Sequence, residues 1–597
     1  MDKLPAELIL HISFFLDARD IVTLQLISQH FLTITRDNGL WKELCLDDSH
    51  SEAARRRRES IAAGPVPVEE PRAWELQRAI TRATGRNGDV ETVLRIASAR
   101  KTRATARPMA NWDPAYPGEK VDWYGEYVAR HAPLSLSWLQ QPFHDSNAVR
   151  EKLESRGLGL LNDGGESIVI APLEDGSVCL WNVGADDKAP DGRDGRIMTR
   201  SRPGLLSVNG PGGSTWQSST TSRAKMTSTG VVECVSVDKI RNKAYFAVQS
   251  GLNEIDLSTL QVSAYDRYPF SISALSEATH PIPLTVGTTL SLHIHDPRLG
   301  NNGRASSYTY FSERVEFEGS IASNPALQND FHRLNAGDSP QTDYATLFHP
   351  APLSIIHLNP FSTIYVAGRF PSILAYDRRF FPKLTSTIHS GARLCSITSL
   401  PTPDHPTLAV AGEYNGKGSL ELYPITSTSE DSSSTSTTAE PTRNRTSASR
   451  SKLLSLTQHG TRLLFSDSDG QLKWVERDGS TLVRRWNINT YPRNVDEFSP
   501  TGGIFNSDPN EGDVARKLLP VNSKERSEVL LWTGEKIGVL GFKQQPRFSF
   551  EVTAEDDVGS IGADAVDERD FGRMMKTALE RQADEVRFVR GLGAFSA

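Results

Sequence analysis

Residues 167–183 read SIVIAPLEDGSVCLWNV. Ile168, Val169 and Ile170 make one apolar strand, and Val178, Leu180 and Trp181 make a second. Asp175-Gly176 between them is a hairpin turn, because Gly takes positive φ at no steric cost and Asp tolerates it. The unit then returns along the chain. Residues 243–257 give KAYFAVQSGLNEIDL, 284–296 LTVGTTLSLHIHD and 364–377 IYVAGRFPSILAYD. Residues 408–423 give LAVAGEYNGKGSLELY, 462–475 RLLFSDSDGQLKWV and 529–540 VLLWTGEKIGVL. Each is an apolar strand, a short turn and a second apolar strand ending near an aromatic or acidic residue.

Units of this kind cannot bury their faces alone and must stack, and radial stacking of four-stranded blades is the propeller solution. The count of seven units predicts seven blades. Asp175-Gly176-Ser177-Val178-Cys179-Leu180-Trp181-Asn182 and Ala375-Tyr376-Asp377 resemble the ends of WD repeats. Few units carry Trp-Asp itself, and the Gly-His start is mostly absent. The spacing runs from near the ~40–45 residues of that repeat to almost twice as many. Polar insertions at about 184–230, 300–344 and 426–451 fill the difference. The last is Ser- and Thr-rich and too polar to order itself, so it is expected to loop out.

The first residues have a different period. Leu8, Ile12, Phe15 and Leu16 fall on one helical face, Ile21, Leu24, Ile27 and Phe31 repeat it, and Leu40, Trp41 and Leu44 close it. Pro5 suits a first helical position. Asp20 is expected to cap the second helix, and Asp37-Asn38-Gly39 to break the run. A unit of three or four short helices supplies little core. By pattern alone it fits either a cap docked on the rest of the chain or a partner-binding module. Leu4-Pro5-x-Glu7-Leu8, Ile12, Leu16, Asp20-Ile21, Leu24, Ile27-Ser28 and Leu40-Trp41 resemble an F-box, with Phe31 where that family often has Trp. The resemblance implies docking onto the small adaptor of Skp–cullin–F-box ubiquitin ligases. Leu4, Pro5, Leu8, Ile12, Leu16 and Ile27 match positions that pack on the adaptor or hold the helices for it.

The expected architecture is therefore multidomain, α then all-β. An F-box occupies 1–46, a helical and aromatic linker 47–138, a WD-like seven-bladed β-propeller 139–550, and an acidic segment with a C-terminal helix 551–597. The aromatics Trp112, Tyr116, Trp123, Tyr124, Tyr127 and Trp138 read as packing at a domain junction, since too few cations accompany them for single-stranded nucleic acid. Net charge is −7 over 597 residues, so no nucleic-acid partner is called for. The four cysteines are scattered without a C-x-x-C pair, which fits a reducing compartment. No stretch approaches a membrane span. The expected location is the cytoplasm, the nucleus or both.

Catalytic signatures are not found. Asp570-Phe571-Gly572 lacks the other kinase motifs, and no metalloprotease, nucleophile-elbow or P-loop pattern occurs. His293 and His295 share a strand face but show no third ligand, so no metal or cofactor is expected. The F-box reading implies a non-catalytic substrate receptor, partnered by a Skp-type adaptor, the cullin complex and a protein substrate, phosphorylated or not. A scaffold without ubiquitin transfer and a propeller enzyme with a funnel site are the alternatives. For substrate binding the candidates are Arg369, at the end of a second blade strand, and Arg393, at the start of the next blade. Antiparallel neighbours put those two ends at one edge. Paired Arg can hold phosphate or carboxylate bidentately. The alternative for each is an ion pair with a neighbouring acid or a place on the solvated rim.

Overall fold

In the computed structural model the described residues are 4–49, 112–143, 152–163, 166–183, 194–206, 235–296, 344–347, 351–358, 362–400, 406–427, 437–438, 443–490, 513–522, 527–544 and 546–548. All lie in one compact unit, Met1–Phe548; a second unit, Ser549–Ala597, holds the expected acidic segment and C-terminal helix and lies outside the described residues. The expected helices between residues 50 and 111 also lie outside them.

Four helices open the chain: α1 (Ala6–Ser13), α2 (Ala18–Gln25), α3 (Gln29–Thr35) and α4 (Asn38–Asp47). Pro5 sits one residue before α1, at its cap. The cap position of α2 is Asp17, not Asp20, which lies inside the first turn. The side chains of Ser28 and Asp37 cap α3 and α4, accepting from the N–H groups of Phe31 (3.3 Å) and Leu40 (3.0 Å). A fifth helix, α5 (Trp123–His131), follows.

Seven four-stranded antiparallel sheets come next. The middle two strands of each are one of the repeated hairpins. In blade 1 they are Glu166–Pro172 and Val178–Asn182, flanked by Gly159–Asp163 and Ile197–Arg200. Blades 2 to 6 begin at the inner strands Val235–Asp238, Ile272–Leu275, Pro352–Leu358, Arg393–Leu400 and Leu453–His459. Blade 7 has Lys517–Asn522, Ser527–Trp532 and Ile537–Gly541, and its outer strand is Ser135–Trp138 from just after α5. Ser135–Trp138 was expected to end the linker; it instead closes the ring.

Seven apolar clusters confirm that closure, one between each pair of neighbouring blades. Blade 7 meets blade 1 through Trp532, Leu530 and Val521 against Trp181, Cys179 and Val169. The other six pair blades 1 and 2, 2 and 3, 3 and 4, 4 and 5, 5 and 6, and 6 and 7. Middle strands are buried on both faces, which is why they read as near-continuous apolar runs. Serines also stitch neighbouring inner strands. Ser354, Ser396 and Ser455 each follow a register shift and accept from the N–H of Ile397, Leu456 and Leu518 in the next blade, at 3.2, 3.3 and 3.2 Å.

The outer strands explain where the expected insertions depart from the structure. Ile197–Arg200, Tyr344–Thr346 and Arg443–Ser449 are the outer strands of blades 1, 3 and 5, yet lie in or at the end of the segments read as insertions. The Ser- and Thr-rich stretch also holds a small hairpin, Thr426–Ser427 with Thr437–Thr438. An outer strand faces solvent along most of its length, as Leu384–His389 and Leu482–Asn487 do. Polar side chains are tolerated there, so no hydrophobic run marks it.

Candidate functional site

The helices α1 to α4 bury one side of themselves and leave another bare. Ile9, Ile21, Phe31, Leu40, Trp41, Cys45 and Leu46 are buried. Trp41 donates its Nε1–H to the Thr35 carbonyl at 2.7 Å, and burial pushes the Cys45 thiol up to about 12. Leu8, Ile12 and Phe15, one helical face, point outward with exposures of 50, 42 and 72%. Leu4 and Ile27, at 37 and 64%, and Pro5 are exposed as well, while Leu16 is half-buried against the core. Sequence reasoning missed Leu26, the barest large apolar residue of these helices at 82%, and the exposed Phe14 and Val22. Leu26 falls off the helical period, just past the end of α2, so pattern offered no signal for it.

The buried side joins the aromatic segment, as expected for a junction. Trp41 packs edge-on against Tyr124 (4.9 Å between centroids) and tilted against Tyr127 (5.0 Å). Asn38 brackets the start of α5, donating to the Val121 carbonyl (3.2 Å) and accepting from the Trp123 N–H (3.1 Å). Lys42 forms an ion pair with Asp113.

The far side of α5 rests on blade 6, where its first strand turns into its second and its third into its fourth. Ala129, with Val128 and Ala132, joins the apolar cluster of Leu464, Leu472 and Trp474, and buried ion pairs stand beside it. Arg130 grips Glu476 with two hydrogen bonds, at 2.6 and 3.0 Å, and donates to Thr461 Oγ1 at 3.1 Å. Glu126 accepts from the Thr461 N–H at 2.8 Å and lies 3.2 Å from Arg462 Nε. Burial alone would raise the Glu126 carboxyl, but Arg462, Arg130 and the Thr461 N–H outweigh it and hold the group below the usual carboxylate range. Burial lowers the Arg462 pKa against the pull of Glu126. Arg477 takes both oxygens of Glu119, at 2.5 and 2.7 Å. At Gly460, with φ of +59°, any Cβ would run into the Glu126 carboxylate.

Arg369 and Arg393 lie on the opposite edge of the ring. Arg369 follows the second strand of blade 4 (Thr363–Gly368), and Arg393 opens the inner strand of blade 5. The Pro371 carbonyl accepts from the N–H groups of Ser390 and Gly391, both at 2.9 Å, and so draws the two connections together. Both side chains are exposed, and neither enters an ion pair among the described residues. Glu413 stands opposite Arg393 in the register. Lys417, Arg450 and Lys452 are further exposed cations on this edge of blades 5 and 6. Lys417 lies in the turn of a hairpin legible in the sequence, whereas the place of Arg450 and Lys452 depends on Arg443–Ser449 being an outer strand.

His293 and His295 each have a hydrogen-bond partner of their own. His293 is buried with its Nε2 2.7 Å from Ser291 Oγ, and His295 Nδ1 lies 2.9 Å from the Tyr268 hydroxyl. No group of three or more His, Cys, Asp or Glu that could hold a metal occurs among the described residues. Of the cysteines, Cys45 and Cys179 are buried and Cys395 is half-buried, all three as free thiols.

Comparison with known proteins agrees with this arrangement at the N-terminus, where the F-box-like family matches residues 1–47. No curated protein matches the chain. Among solved structures, the β-propeller domain of Cps50 (Swd1) from Myceliophteria thermophila is similar over 67% of this chain and 99% of that one, at 10% identity and a TM-score of 0.39. The chain thus carries an N-terminal F-box-like domain of four short helices in front of a seven-bladed β-propeller.

Proposed function

We propose that the chain is the substrate-recognition subunit of a Skp–cullin–F-box ubiquitin ligase. The observation that carries this reading is the bare apolar surface of Leu4, Leu8, Ile12, Phe15, Leu26 and Ile27 on an F-box-like domain. Large apolar patches on otherwise polar modules mark interaction sites. Covering these six half-exposed side chains with an adaptor would contribute on the order of 5 kcal/mol. The propeller would present a protein substrate on the edge that carries Arg369 and Arg393, opposite the edge that seats α5. Two guanidinium groups can hold a phosphate or carboxylate by charge-assisted pairs, and Lys417, Arg450 and Lys452 add positive field. The substrate is then an acidic or phosphorylated segment. The chain needs no catalytic residue for this role, because it works by raising the local concentration of substrate near the transfer machinery. It would act in the cytoplasm, the nucleus or both.

The decisive experiment is co-purification with a Skp-type adaptor. Replacing Leu4-Pro5 by Ala-Ala together with Leu8→Asp should abolish capture while the propeller keeps its melting transition. Adaptor capture that survives this change and also deletion of residues 1–46 would overturn the reading.

A further inference from the structure

Blades 4 and 6 carry equivalent turns between third and outer strands, and only one of the two is covered. In blade 6 the strand Gln471–Glu476 leads into Arg477; in blade 4 the strand Ser372–Asp377 leads into Arg378. The registers make the two arginines equivalent. Glu476 stands opposite Arg462 and Asp377 opposite Thr363, each at the start of the second strand. In blade 6 the chain itself supplies the partner. Glu119 takes the Arg477 guanidinium through two hydrogen bonds, and the Tyr116 ring lies under it at 4.3 Å.

Blade 4 has no such segment among the described residues. The Arg378 guanidinium is half-buried, 3.2 Å from the imidazole of His357, with no carboxylate of the described residues paired to it. Burial lowers its pKa, and no acid opposes the shift. Beside it stand Phe380, 65% exposed, and Leu384, 48% exposed, with Lys383 between them also exposed. The turn is braced rather than loose. Arg378 N–H donates to the Ser362 carbonyl at 2.8 Å, and the Asp377 carboxylate accepts from the Arg379 N–H at 2.9 Å. Phe381 tucks against Tyr376, 6.0 Å between centroids. A rigid turn thus offers an unneutralised cation beside two bare apolar side chains.

We propose that the blade 4 turn is a docking point for a partner protein whose segment carries an aromatic residue three positions before a carboxylate, the pattern of Tyr116 and Glu119. The carboxylate takes Arg378, as Glu119 takes Arg477, and the aromatic side chain covers Phe380 and Leu384. This turn lies on the edge of the ring that seats α5, away from Arg369 and Arg393. Its partner is therefore distinct from a substrate held on the opposite edge, and the inference stands whether or not the ligase reading does.

The test uses a fluorescent peptide of residues 112–121, WDPAYPGEKV, titrated by anisotropy into the full chain, whose own copy already occupies blade 6. Saturable binding is expected, weakened ~10-fold or more by Phe380→Ala in the protein and by Glu119→Gln in the peptide. Arg378→Met should weaken it similarly; if that variant loses its melting transition, the exposed Phe380→Ala and the altered peptide decide. Binding that Phe380→Ala leaves unchanged, or the lack of saturable binding up to millimolar peptide, overturns the proposal. So does binding that is lost only in Arg477→Met, which would mark exchange at blade 6.

Discussion

The helical module has two working surfaces of different chemistry. Toward blade 6 it adds buried charge to an apolar seam: Glu126, Arg130, Arg462 and Glu476 are all buried or nearly so, each against an opposite partner. Toward solvent it is apolar, with Leu8, Phe15, Leu26 and Ile27 each at least half bare. The contrast follows from what each surface must do. A contact made within one chain, once, can hold buried ions, because both partners stay in place and neither has to be desolvated again. A surface that gains and loses a partner in water does better with apolar groups, whose exposure costs less than stripping a charge.

Among single substitutions, breaking the ionic side should give the largest effect. Glu126→Ala leaves Arg462 and Arg130 facing each other in a buried site, and should cost ~3–5 kcal/mol of stability. Thermal or denaturant unfolding reads it directly. Gly460→Ala should act in the same direction, because its Cβ meets the Glu126 carboxylate. An unchanged melting temperature in both variants would mean that the cluster does not hold the module.

Acid should weaken the propeller by a separate route. Burial pushes His293, His357 and His459 down to about 3, with Arg378 adding to the effect at His357. In the unfolded chain these imidazoles titrate near ~6.5, so between the two values the unfolded state binds more protons. Their contribution is complete above ~6.5 and is lost as pH falls toward 3, at about 2 kcal/mol per histidine by pH 5. Melting temperature against pH should therefore fall below 6.5, and His459→Gln should flatten the slope.

The apolar side should respond in binding and not in stability. Leu8→Asp with Ile12→Asp should weaken adaptor capture by ~2 kcal/mol or more. The melting temperature should stay within the change of ~0.5 kcal/mol typical of exposed sites. A large loss of stability would show that these side chains serve the module's own core. The smallest effect belongs to the opposite edge of the ring. Arg369→Ala with Arg393→Ala should cost ~1.5–3 kcal/mol in binding an acidic or phosphorylated peptide, with no change in folding.

The blades' middle hairpins were legible from the residues alone. All seven coincide with repeated apolar pairs, because strands buried on both faces must be apolar throughout. Three or four short N-terminal helices were also legible there, with the resemblance that picked out Leu4, Leu8 and Ile12; the structure has four. Where side chains carry no period, the fold had to place them. The outer strands Ile197–Arg200 and Arg443–Ser449 face solvent and look like polar insertions, and Ser135–Trp138 belongs to a blade whose other strands begin at Lys517. Arg450 and Lys452 gained a common edge with Arg393 only once the strand Arg443–Ser449 was in place. The bare face of Leu4, Leu8 and Ile12 was in the helical period and the resemblance, whereas Leu26, Phe14 and Val22 joined it only in the fold. Leu26 meets water because it stands just past the end of the second helix, where the helical period no longer fixes which way a side chain faces.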